Sequence, residues 1–162
     1  MAKPALTDAI QDYLRDIYKL AADGDGRVSV TALAKRQGVS AASASAMVKK
    51  LAALGLLVHE PYRGITLTHA GEQVALEIIR HHRLLELYLA QTLGLHVDDV
   101  HAEAERLEHA ISEELEAKID RALGYPTHDP HGDPIPDSKL RWPSGRRSSA
   151  PKASATRRAR MA

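Results

Sequence analysis

The stretch that decides the fold is residues 29–68, SVTALAKRQGVSAASASAMVKKLAALGLLVHEPYRGITLT. Ser29 is a candidate cap for a short helix from Val30 to about Gln37, and Gly38-Val39-Ser40 follows as a tight turn. A second helix is expected from Ala41 to Leu54, stopped by Gly55. Two β-rich pieces come next, Leu56–Glu60 and Ile65–Thr68, joined by Pro61-Tyr62-Arg63-Gly64, which is a hairpin signal. Helix, turn, helix and hairpin in that order describe a winged helix-turn-helix, whose second helix enters a DNA major groove while the hairpin touches the backbone beside it.

The second helix is unusually small along its first turns. Small side chains let a backbone approach base edges. Ser43 and Ser45 can donate or accept there, and the methyl groups of Ala42 and Ala46 can meet thymine methyls. Lys49, Lys50 and Arg63 are placed on phosphates. Thr31 and Ser40, at the starts of the two helices, complete the candidate DNA contacts. The competing reading is a three-helix bundle in which these small residues are packing spacers.

Outward from this stretch, Ile10, Tyr13, Leu14, Ile17 and Leu20 recur at helical spacing, so 7–22 reads as a helix. Downstream, long helical patterns run from about His69 to Leu93, from Val97 or Asp98 to near Ser112, and from Glu113 to Leu123. Pro126, Pro130, Pro134 and Pro136 then argue for a loop. Residues 143–162 are Ser/Ala/Arg/Pro-rich, the composition of a disordered tail. The expected fold is mainly α, with a DNA-binding domain over 1–70, a helical domain over 71–140 and a basic tail over 141–162.

The formal net charge of +1 hides an asymmetry. All 21 acidic residues precede position 141, whereas seven of the 22 Lys/Arg follow position 140. Residues 27–63 are basic and 64–140 acidic, which suggests two tasks in one chain. There is no cysteine, so disulfides, zinc–thiolate sites, iron–sulfur clusters and cysteine nucleophiles are excluded. No apolar run approaches the ~18 residues of a membrane span, and the cytosol is the expected location.

The acidic half carries a second signal. His101, Glu105, Glu108 and His109 have helical offsets that gather them within an arc of roughly 100° beside the apolar stripe Val100, Ala104, Leu107 and Ile111. His82 and Glu86 form an i, i+4 pair one helix earlier. Carboxylate and imidazole donors without thiolate suit Mn²⁺ or Fe²⁺, and Zn²⁺, Co²⁺ or Ni²⁺ would bind such a set in vitro. The competing reading is a solvated face whose acids pair with Arg83 and Arg106. A carboxylate–histidine metalloenzyme is a further alternative. The Glu-x-x-His spacing of four-helix di-metal enzymes fails here, because Arg106 stands three residues before His109.

With these motifs in hand, residues 7–136 resemble the diphtheria toxin repressor family of metal-dependent transcription regulators, in particular its manganese transport regulator branch. The resemblance rests on Tyr13-Leu14-Arg15-Asp16-Ile17-Tyr18, Tyr62-Arg63-Gly64, Arg80-His81-His82-Arg83-Leu84, Val100-His101 through Glu108-His109, and His131-Gly-Asp-Pro-Ile-Pro136. It implies a homodimeric repressor, not an enzyme, with a helical dimerisation domain. Divalent metal would switch on binding to palindromic double-stranded operator DNA, with no membrane and no organic substrate involved. It implies a primary metal site of Asp12, Glu105, Glu108 and His109 and a second of His82, Glu86 and His101. Asp12 and Glu105 stand where iron-sensing relatives carry methionine and cysteine, which favours manganese over iron. Arg15 stands where the manganese branch usually has glutamate, which argues against a closely spaced metal pair. Asp12 owes its place entirely to the resemblance, since periodicity puts it opposite its helix's apolar stripe. Family members often continue into a small β-barrel, for which the remaining residues are too few and too polar. A winged-helix regulator answering to an organic ligand is the remaining alternative.

Overall fold

A computed structural model describes residues 6–144. Six helices and one two-stranded sheet follow in the order α1 (Asp8–Asp23), α2 (Val30–Gln37), α3 (Ala41–Ala53), β1 (Leu57–Glu60), β2 (Gly64–Leu67), α4 (His69–Gln91), α5 (Val100–Leu107) and α6 (Glu113–Ala122).

Capping fixes most of the starts. The hydroxyls of Thr7, Ser29, Ser40, Thr68 and Ser112 each accept a backbone N–H three residues on, closing the first turns of α1, α2, α3, α4 and α6. Gly38, in the left-handed region at φ 67°, ends α2 and turns the chain into α3. The strands pair antiparallel, with Leu57 opposite Leu67 and Glu60 opposite Gly64. Val28 exchanges two backbone hydrogen bonds with Ile65, which ties the α1–α2 connection to the wing.

Two cores share one long helix. Ile10, Leu14 and Ile17 of α1, Leu33 of α2, Val48 and Leu51 of α3 and Ile65 of β2 pack with Ala75, Leu76 and Ile79 from the first half of α4. Leu84, Leu85 and Leu87 from its second half pack with Ala104, Ile119 and Ile135. The 23-residue helix α4 is therefore a shaft common to both halves. Its N-terminus meets the wing so closely that a Cβ at Gly71 would lie 1.9 Å from the Leu56 carbonyl oxygen.

The expected helix from Val97 or Asp98 to Ser112 is shorter than its pattern suggests. Helix α5 ends at Leu107, and Ser112 caps a separate α6. Leu107, assigned to the apolar stripe, is exposed as a result. The proline-rich segment after α6 is an ordered return. Ile135 N donates to Thr127 O, Asp129 Oδ1 accepts from His131 N and Asp133 N, and Ile135 is buried in the second core. Arg80 locks this return to α4 and α6 by donating to the Pro136 carbonyl, Asp120 and Glu116.

Leu140 and Trp142 fold back onto the first core, and Trp142 Nε1 donates to Tyr18 Oη at 3.1 Å. Trp142, within the expected tail, is thus packed against Tyr18 of α1, while Arg141 pairs with Asp137. The remainder of the expected tail, 145–162, lies outside the described residues. Among the described residues no helix is long and apolar enough to cross a membrane.

Candidate metal centre and nucleic-acid interface

The Glu108 side chain is 1% exposed and carries a cationic partner on each oxygen. Arg15 Nη1 donates to Oε1 at 2.9 Å, and His82 Nδ1 lies 2.5 Å from Oε2. Around it the structure gathers two donor groups. In the first, Asp12, Glu108 and His109 present ligand atoms within 4.8 Å of one another. His109 Nε2 is 3.0 Å from Asp12 Oδ1 and 3.5 Å from Glu108 Oε1. The Gln11 side-chain oxygen, 2.6 Å from His109 Nδ1, fixes the ring's orientation. In the second group, His82 Nε2 lies 2.5 Å from Glu86 Oε1 and 3.1 Å from His101 Nδ1.

The sequence did not single out a third group, Glu86, Asp129 and His131, which overlaps the second through Glu86. His131 Nδ1 lies 3.0 Å from Glu86 Oε2. His131 was quoted only within a motif, and Asp129 lies in the proline-rich loop. Nothing local marks either as a partner of α4.

Of the expected ligands, the structure leaves Glu105 outside the first group. It sits half-exposed on the outer face of α5, with Oε1 3.2 Å from His101 Nε2. The expected arc is split because it straddles the edge between the exposed and buried sides of α5. His101 and Glu105 lie on the exposed side, whereas Glu108, its N–H still bonded to the carbonyl of buried Ala104 one turn back, faces His82 of α4, and His109 follows it to α1. Asp12 is half-buried rather than solvated, because α1's apparent outer face is covered by the end of α5. Arg83 and Arg106 do not neutralise these acids. Arg83 donates to the Pro134 carbonyl, and Arg106 pairs with Glu103.

The electrostatics are those of acids packed with cations. Burial raises the Asp12 carboxyl above its ordinary value, with Arg15 and His109 pulling the other way. Burial opposes the charged form of His82, yet hydrogen bonds to Glu108 and Glu86 outweigh it and raise its pKa to about 9. Burial likewise acts against ionised Glu86, but His82 holds it below the usual carboxylate range.

A divalent cation fits this chemistry. The donors are oxygen and nitrogen only, matching the hard-to-borderline ions. Asp12 Oδ1 and Glu86 Oε2, one in each of the first two groups, are buried and accept no hydrogen bond. Each faces only ion-pair neighbours, Arg15 and His109 at Asp12 Oδ1 and His131 at Glu86 Oε2, and a buried carboxylate oxygen without a hydrogen bond is costly unless a cation takes it up.

The other candidate surface is the exposed side of α3. Ala42, Ser43, Ala46, Lys49 and Lys50 are exposed and Ser45 is partly so, whereas Ala44, Val48 and Leu51 face the core. The small residues therefore face largely outward, not into the bundle. Ser40 is occupied as the N-cap: its Oγ accepts from Ser43 N and donates to Ser43 Oγ. Thr31 is exposed on the first turn of α2, and Arg63 on the wing turn. Beside Arg63 stand two residues that are not among the expected DNA contacts. Tyr62 is fully exposed at φ 65°, and Arg27 donates weakly to the Arg63 carbonyl.

Two family descriptions match this chain one after the other. Residues 5–65 match the iron dependent repressor N-terminal DNA binding domain, and residues 68–137 match the iron dependent repressor metal binding and dimerisation domain. Iron-dependent repressor IdeR of Mycobacterium tuberculosis is 37% identical over 131 residues, covering 81% of this chain and 56% of that protein. An uncharacterised HTH-type transcriptional regulator of Methanocaldococcus jannaschii is 36% identical over 110 residues, covering 68% of this chain and 88% of that protein. A solved manganese-dependent transcriptional repressor in complex with manganese superposes with TM-score 0.76 at 47% identity, over 84% of this chain and 62% of that one. The chain thus spans little more than half the length of IdeR. With both domain matches side by side, and with a relative matched over most of its own length, the chain belongs to the iron-dependent repressor family of metal-dependent transcriptional regulators.

Proposed function

We propose that this chain represses transcription by binding operator DNA as a homodimer when loaded with a divalent metal, and that the metal is Mn²⁺. The carrying observation is the donor group Asp12, Glu108 and His109, which joins α1 of the DNA-binding half to the end of α5 in the other. A set of oxygens and imidazole without sulfur favours Mn²⁺ among the metals the relatives use, with Fe²⁺ as the alternative by the likeness to IdeR. Asp12, Glu108 and His109 would hold one ion. His82, Glu86 and His101, with Asp129 and His131 at the same carboxylate, would hold another. Such an ion supplies positive charge that offsets the clustered carboxylates.

The chain's own residues do the rest. Gln11 orients His109, Glu108 is held from both sides, and α1 is drawn toward α5 by Asp12. Occupancy biases the DNA-reading half only by its preference for that arrangement over others. Ser43, Ser45, Ala42 and Ala46 read base edges, with Ser40 setting the start of their helix. Lys49, Lys50, Arg63 and Thr31 bind the backbone. Among the described residues, Leu93, Val97, Leu107, Leu115 and Tyr125 of the second half leave large apolar side chains exposed, which supports self-association there. The test is a mobility-shift titration on the gene's own upstream DNA with Mn²⁺, anaerobic Fe²⁺ and chelator, repeated with His109→Ala. Metal-dependent retention lost in the variant is expected. Equal DNA binding in chelator would overturn the reading.

A further inference from the structure

The cationic neighbour of the first donor group has a feature that the ligands themselves do not explain. One atom, Arg15 Nη1, touches both ligand oxygens, lying 2.9 Å from Glu108 Oε1 and 3.3 Å from Asp12 Oδ1. These are the same two oxygens that face His109 Nε2. We propose that Arg15 is a built-in competitor of the metal: its guanidinium neutralises Asp12 and Glu108 in the empty protein and must leave those oxygens when a divalent ion is bound. The inference rests on the assignment of Asp12, Glu108 and His109 as a metal site and adds a residue that sets its affinity.

Charge and lone pairs set the competition. Two carboxylates beside one guanidinium carry a net charge of −1. A divalent ion added without displacement puts three positive charges on two negative ones, with little solvent to screen them. An ion bound by carboxylate oxygens also sits at roughly 2.0–2.6 Å and takes up the lone pairs that Arg15 now uses. Glu108 is saturated in the same sense on its other oxygen, where His82 is paired.

The displaced guanidinium has somewhere to go. Arg15 Nε is already 3.3 Å from Asp16 Oδ1. A cleft of about 250 Å³, lined by these two residues with Lys19, Arg36, His82, His101 and Glu105, opens beside it. Asp16 in turn accepts from Gln37 Nε2 at 2.6 Å and lies 3.5 Å from Arg36 Nε, at the end of α2 and three residues before the cap of α3. A shift of Arg15 toward Asp16 therefore changes the charge balance at the helix-turn-helix itself. It also gives half-exposed Glu105, which faces the same cleft, a cation to meet.

The experiment titrates MnCl₂ into chelator-stripped full-length protein by calorimetry, comparing wild type with Arg15→Gln, Arg15→Lys and His109→Ala. A charge-assisted hydrogen bond between Arg and carboxylate corresponds to about tenfold or more in an equilibrium constant. Arg15→Gln is thus expected to bind Mn²⁺ at least tenfold more tightly than wild type, and Arg15→Lys within a few-fold of it. Loss of binding in His109→Ala with unchanged or weaker binding in Arg15→Gln overturns the competitor role while sparing the site. Undiminished Mn²⁺ binding in His109→Ala overturns the site assignment instead. If Arg15→Gln does not fold, the wild-type arginine Nε–Hε resonance of Arg15 is followed through a Zn²⁺ titration. Release predicts that it moves and sharpens at saturation, and an unmoved resonance refutes release.

Discussion

Replacing Glu108 by alanine tests stability and ligand binding in one variant, and the two contributions can be separated. The side chain is buried and makes two charge-assisted contacts, one to Arg15 and one to His82. Each such bond contributes about 1.5–3 kcal/mol. Arg15 keeps Asp12 and Asp16 after the loss, and His82 keeps Glu86, so part of the penalty is recovered. A net loss of about 2–4 kcal/mol is expected for the metal-free protein. For a chain of this size that lowers Tm by roughly 6–12 °C. The loss is largest below pH 6.5, where the His82 contribution to wild type is fully present. Wild type should then gain about 2.7 kcal/mol from the first site at a Mn²⁺ concentration a hundredfold above its Kd, and the variant only what the second group still binds. Thermal melts at pH 6 and pH 8, with chelator and with MnCl₂, read all four numbers. A variant that melts within 2 °C of wild type in chelator would show that Glu108 is not the buried hub described. A variant that gains as much from Mn²⁺ would show that it is not a ligand.

Four further outcomes follow from the same geometry. His82, with its pKa raised from 6.5 to about 9, contributes stability that is fully present below pH 6.5 and is lost as pH rises through 9; a metal-free protein more stable at pH 9.5 than at pH 6.5 would contradict this, as measured by urea denaturation of wild type against His82→Gln. Metal at His82 must expel that proton, so calorimetry at pH 7.5 in buffers of differing ionisation enthalpy should show about one proton released, and affinity should rise about tenfold per pH unit up to pH 9. Lys49→Ala should weaken binding to every DNA sequence alike and reduce the salt slope by about one, an unchanged slope removing Lys49 from the phosphate contacts. Gly71→Ala should destabilise by about 1–3 kcal/mol despite alanine's ~1 kcal/mol helical advantage, because its Cβ meets the Leu56 carbonyl at 1.9 Å; a stabilised variant in chemical denaturation would show that the contact relaxes freely.

Local patterns carried the DNA-binding half well. The caps at Ser29 and Ser40, the Gly38 turn and the Pro61–Gly64 hairpin are short-range signals, and the elements fall within a residue or two of where the sequence puts them. The donor groups were only partly legible. His82 and Glu86 share a helix and are visible as an i, i+4 pair. Asp12 is not, because what covers it arrives from 96 and 97 residues away. The end of α5 is hidden in the sequence for a physical reason: Glu108 still follows the helix, its N–H on the Ala104 carbonyl one turn back on the buried side, and the chain turns away only after it, while Glu105 stays on the exposed side. Arg15 stands as a family departure in the sequence, and its contact with both ligand oxygens exists only in three dimensions. Asp129 and His131 sit in a loop with no period to read.

The missing side chain at position 71 has a wider meaning. With the carbonyl of Leu56 pressed onto α4, the base of the wing and the shaft behave as one solid piece. Thr68 reinforces this by donating to the Gly55 carbonyl while it caps α4. A tilt of that shaft at its far end, where the donor groups lie, would swing the hairpin like the arm of a lever, with no hinge between them to absorb the motion.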